Sequence, residues 1–140
     1  MRRLVPVLAL LAALPAQAQE RAPAQRQMLV DLAYVLGESH ALRQACRGEA
    51  DQYWRARMIR MVEVEAPDES LDRRLRTAFN TGFSSARARR PQCDEATRAE
   101  AAQAAGRGQA LAARLSQVVI PAPAASANSP DSIAEAPTPR

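Results

Sequence analysis

The sequence contains no lysine: all 19 of its basic side chains are arginine, and 15 carboxylates oppose them. With alanine also heavily used, that absence reads as the stamp of a GC-rich bacterial genome and says little about ligands. There is one histidine, His40, so no recognisable zinc set can be assembled, and no metal or other cofactor is expected. Cysteine is limited to Cys46 and Cys93, which allow only one pairing. No stretch alternates apolar and polar residues long enough for a half-buried strand, which leaves an all-α fold. Beyond the N-terminal segment, no apolar run approaches the roughly 20 residues of a membrane-spanning helix, so the mature chain is expected to have none.

The N-terminal segment reads Met-Arg-Arg, then "LVPVLALLAALPA", then Ala16-Gln17-Ala18. A basic start, a short apolar run and a small-x-small site make residues 1–18 a secretory signal peptide, cleaved near Ala18, with a periplasmic or secreted product. Losing Arg2 and Arg3 lowers the formal net charge of +4 by two, too little excess to favour nucleic acid. In an oxidising compartment Cys46 and Cys93 should form a disulfide. Closing that loop restricts the unfolded chain by roughly 4 kcal/mol in the entropy model, comparable with the whole margin of a small domain.

Residues 19–25, "QERAPAQ", and 120–140, which include "PAPAASANSPDSIAEAPTPR", hold almost no large apolar side chains. Such segments cannot offset the entropy of ordering, so they are expected as a flexible N-terminal segment and a disordered Pro/Ala/Ser-rich tail. Between them, 26–119 forms one helical domain, a small four-helix bundle stapled by the disulfide. The first helix runs from about Arg26 to Arg47 and stops at Gly48. The second runs from about Glu49 to Glu65 and is closed by Pro67. The third is capped by Asp68 and carries Leu71, Leu75, Phe79, Gly82 and Phe83 on one stripe. The fourth is capped by Asp94 and runs to about Val119. Its seam is Ala101, Ala104, Gly108, Leu111, Leu115 and Val118, small enough in its first half for a neighbouring backbone to approach closely.

"LGESHALRQAC" raises the question of a Cys/His active site. His40 and Cys46 are six positions apart, about 120° around a helix, so they do not meet as a nucleophile and its base must. Glu38 and His40 diverge as well. No catalytic residue is assigned. What needs explaining is why Ser39, His40 and Arg43 interrupt the apolar arc of the first helix. Arg57 and Glu65 do the same in the second, beside Tyr53, Trp54 and Met58. Buried charge is tolerated when paired, so Arg43 or Arg57 is expected to meet Glu65, Glu63 or a helix-end carbonyl, with Arg57 beside the Trp54 indole. The preferred reading is a polar core network; the alternative is a small cleft lined by His40, Arg43, Tyr53, Trp54 and Arg57, suited to an anionic or peptide ligand.

The run "LAYVLGESHALRQACRGEADQYWRARM", with Glu65, "AFNTGF" from Ala78 to Phe83 and Cys93, resembles a family of small secreted alphaproteobacterial proteins known as conserved hypothetical proteins with a cysteine pair. Gly37, His40, Leu42, Arg43, Cys46, Trp54, Arg55, Met58, Asn80, Gly82 and Cys93 carry the match. The resemblance implies export and the cysteine pair, and no chemistry. Arg55 and Asn80 lie off the core-facing arcs, and together would mark an interaction surface.

These observations favour an exported, non-enzymatic helical interaction module that binds an envelope protein around Tyr53, Trp54 and Asn80. One alternative is salt-sensitive binding of anionic envelope polymer or lipid headgroups through Arg55, Arg87, Arg89 and Arg90. Another is a small-ligand binder or hydrolase that uses a His40/Arg43 cleft, with Glu65 or Glu38.

Overall fold

The computed structural model describes residues 21–117. The expected signal peptide and C-terminal tail lie outside the described residues. The chain folds into four helices, α1 (Pro23–Arg47), α2 (Tyr53–Glu65), α3 (Glu69–Arg89) and α4 (Glu95–Ser116). No strand occurs among the described residues, and no helix there is long and apolar enough to cross a membrane.

Local chemistry sets the boundaries. α1 begins three residues before Arg26, because Pro23 sits in its first turn, where a missing N–H costs nothing and the fixed φ suits a helix. Residues 23–25, expected within a flexible segment, are therefore helical. Gly48 ends α1 at φ 94°. α2 starts at Tyr53 and not at Glu49. The Asp51 carboxylate accepts from the Tyr53 backbone N–H at 3.1 Å and from Arg43 Nε at 2.9 Å, which holds 49–52 as a turn. Ala66, before Pro67, closes α2 in the left-handed conformation at φ 41°. Asp68 and Asp94 cap α3 and α4 as expected, accepting from Leu71 N at 2.8 Å and Thr97 N at 2.7 Å.

The packing departs from a simple bundle. α2, α3 and α4 each pack on α1, and their backbones hardly approach one another. α1 is thus the axis of the domain. Every residue from Val35 to Leu42 is buried, a belt with no solvent face. That belt contains Gly37, Glu38, Ser39 and His40, so polar groups lie inside whichever way they point.

The α1/α3 seam is the closest contact. A Cβ on Gly37 would collide with the Phe79 carbonyl, and one on Gly82 with the Tyr34 carbonyl, so the two backbones touch where neither helix has a side chain. The close approach anticipated on α4 is milder: a Cβ on Gly108 would sit 3.4 Å from the Val35 side chain. The expected seam of α4 does face α1, with Ala104 and Leu115 buried and Ala101 and Leu111 partly so; Val118 lies outside the described residues.

Two features fasten the axis. Cys46 and Cys93 form a disulfide, Cα–Cα 4.7 Å, joining the end of α1 to the turn before α4. The Glu38 carboxylate, 6% exposed, accepts from Arg89 of α3 at 3.0 Å and from Arg107 of α4 at 2.8 Å. Arg89 and Arg90 also hold Glu100, whose carboxyl is kept below its usual range first by Arg89 and then by Arg90. A buried carboxylate paired on both oxygens ties three helices together.

Candidate functional site: two grooves beside α2

α2 is the least embedded helix. Met58 is its only buried residue, and Tyr53, Ile59 and Val64 stand exposed. Because α2 rests on α1 without packing closely on α3 or α4, a groove opens along each flank.

The α2–α4 groove, about 400 Å³, is floored by α1 residues such as Leu32 and Leu36. Tyr53, Trp54, Arg57 and Met61 form one wall, and Ala104, Ala105, Gly108 and Ala112 the other. The tyrosine ring is fixed from several sides: Trp54 meets it edge-on at 5.0 Å between centroids, the Arg57 guanidinium lies 3.4 Å from its centroid, and Arg43 lies 4.4 Å away. Arg57 is farther from Trp54, at 5.4 Å, and donates to the Tyr53 carbonyl and hydroxyl. Arg57 thus lies over the indole as expected, and more closely over the tyrosine.

The α1–α2–α3 groove is larger, about 710 Å³. Met58, Ile59, Val62, Phe79 and Phe83 supply its apolar lining. His40, 4% exposed, packs against Phe83 and Phe79 with centroids 5.4 and 5.8 Å apart. Its Nδ1 is the one buried side-chain nitrogen or oxygen without a partner among the described residues. Burial, and secondarily the positive charge of Arg55, pull its pKa below the ordinary histidine value, against a smaller opposing pull from Asp51. His40 is therefore neutral near pH 7.

The residues singled out in the sequence are divided between these flanks. Ser39, Tyr53, Trp54 and Arg57 line the α2–α4 side, and Arg43 lines its extension toward Cys46. His40, Arg55 and Asn80 line the other. Among the described residues His40 and Arg43 line different clefts, because α1 turns them toward opposite flanks of α2. Arg55 and Asn80 are exposed and share one groove.

The anticipated ion pairs are also redistributed. Arg43 pairs with Asp51, whose carboxyl is held below its usual range by the Tyr53 N–H and Arg43 although burial pulls it up. Glu65 pairs with Arg21, and Glu63 with Arg60. The reason is the antiparallel α1–α2 hairpin, which sets the end of α1 beside the start of α2 and the start of α1 beside Glu65. The arginine run at the end of α3 is engaged too: Arg87 meets Glu49, Arg89 meets Glu38 and Glu100, and Arg90 meets Glu100.

Asp51, Glu100 and Arg107 went unremarked in the sequence, and Glu38 stood out there only as a neighbour of His40. Asp51 carried a signal, a carboxylate two residues before the aromatic start of a helix. The bridging role of Glu38 carried none, since nothing local says that a helix is enclosed on three sides. Among the described residues, no group of three or more His, Cys, Asp or Glu side chains could hold a metal ion.

No curated protein and no solved structure matches the chain. A family model does, over residues 23–118, which span all four helices and both grooves: the chain belongs to the family described as protein of unknown function (DUF2385).

Proposed function

We propose that the chain is an exported, non-enzymatic helical module that binds an envelope protein by taking a partner helix into the α2–α4 groove. The observation that carries this reading is the mismatch of the two walls, large side chains at Tyr53, Trp54 and Met61 facing small ones at Ala105, Gly108 and Ala112. A stripe of small residues lets another backbone come close, and an amphipathic helix with apolar anchors every three to four residues fits between such walls. Aromatic and arginine side chains are the types that dominate binding energy at interfaces. Binding of anionic polymer is less well supported, since Arg87, Arg89 and Arg90 already have carboxylate partners.

The test is a photo-crosslinking residue placed at Met61 or Ala105 in the exported protein, with Arg73 on the outer face of α3 as control. One discrete cross-linked envelope protein at the two groove positions, absent at Arg73 and lost on adding Gly108→Glu, is the expected outcome. The same adducts at all three positions would contradict the reading.

A further inference from the structure

The α1–α2–α3 groove has a different chemistry from its neighbour. Nearly every polar residue around it is occupied: Gln44 and Gln52 donate to backbone carbonyls of the 49–51 turn, Arg87 holds Glu49, Arg76 holds Asp72, and Arg60 holds Glu63. Three are left over. Among the described residues Arg55 has no carboxylate within ion-pair distance, the Asn80 side chain makes no hydrogen bond, and His40 Nδ1 is buried without a partner. A buried polar atom left unmatched costs about 1–3 kcal/mol, and the imidazole that carries this one lines an open groove, which points to a group that arrives from outside.

We infer that this groove is a binding site for a small amphiphilic carboxylate, its headgroup held by Arg55, His40 and Asn80 and its aliphatic body lying along Met58, Val62 and Phe83. A carboxylate presents two acceptor oxygens, which match the guanidinium fork of Arg55 and the Asn80 amide N–H, while the neutral His40 ring in the lining offers one further N–H. One unpaired cation beside a neutral imidazole balances a single negative charge, which favours a carboxylate over a phosphate dianion. The volume of about 710 Å³ falls within the range of small-molecule sites. Because this site lies on the flank of α2 away from the proposed partner groove, either can fail alone.

His40 is the only histidine, so in protein carrying no affinity tag its imidazole gives a single set of NMR resonances that reports directly on the groove. Octanoate is the probe, with acetate and 1-octanol as controls for the chain and the charge. Octanoate should shift the His40 resonances saturably, and acetate and octanol should bind at least about tenfold more weakly, as loss of a charge-assisted hydrogen bond or of the apolar body implies. Arg55→Gln, at an exposed position that the fold does not use, should weaken octanoate by about tenfold and leave octanol unchanged. Asn80→Ala should weaken it less. Equal binding of octanoate and octanol, equal binding of octanoate and acetate, or indifference to Arg55→Gln would overturn the assignment. So would the absence of any saturable shift with octanoate.

Discussion

α3 and α2 rest on the same axial helix in opposite ways. α3 meets α1 backbone to backbone at Gly37 and Gly82 and buries Leu71, Leu75, Phe79 and Ala86. α2 buries Met58 alone and keeps Tyr53, Ile59 and Val64 exposed. The ionic fastening follows the same division, since Glu38 reaches α3 and α4 but not α2. A frame of α1, α3 and α4 thus carries the stability, and α2 is the element left with both flanks open.

The largest expected effect comes from the staple. Cys46→Ser with Cys93→Ser should lower the unfolding free energy by roughly 4 kcal/mol, measured by chemical denaturation, with the loss shared by all helices. If only α2 loosened, the frame would not be the unit that the disulfide supports. Next are the seam glycines. Gly82→Ala or Gly37→Ala must push α1 and α3 apart, at about 3 kcal/mol or more, whereas Gly106→Ala, which meets nothing, should be neutral or slightly stabilising. Met58→Ala should cost about 2 kcal/mol. Its signature should be local, with faster exchange of α2 amides and little change in α3, and a uniform loss would erase the distinction between the two helices.

Smaller still is the effect of Ala66→Gly. A non-glycine residue at φ 41° is strained, so the glycine variant should gain about 1 kcal/mol at the end of α2, seen as slower exchange of its last turn. The last is the pH dependence of the α1–α2–α3 groove. The folded chain disfavours protonated His40, so the unfolded state binds the extra proton first. Stability should be complete above the ordinary histidine pKa and decline as pH falls through it, ahead of a second decline as Asp51, Asp68, Asp94 and Glu100 protonate. His40→Phe should remove the first decline and leave the second.

Much of this architecture was readable in the sequence wherever local chemistry decides. Asp68, Asp94, Gly48 and Pro67 place helix ends because caps, a positive φ and a ring without an N–H act within a few residues. The Cys46–Cys93 pairing follows from there being only two cysteines. The site was harder. A hydrophobic arc locates one buried face, which suits α3, but α1 is enclosed by three helices and its arc cannot say which polar residue faces which neighbour. Ser39 and His40 are adjacent in sequence and share the arc, yet they line different grooves because α2 packs between them. The Asp51 turn shortened α2 for a related reason: its partner Arg43 lies on another helix.

Residue-resolved amide hydrogen exchange on the oxidised protein tests the division between the frame and the outlying helix α2 most directly. The slowest amides should lie in the belt from Val35 to Leu42 and in α3 around Gly82, with α2 opening at a free energy well below the global value. Protection of α2 equal to that of α3 would contradict it.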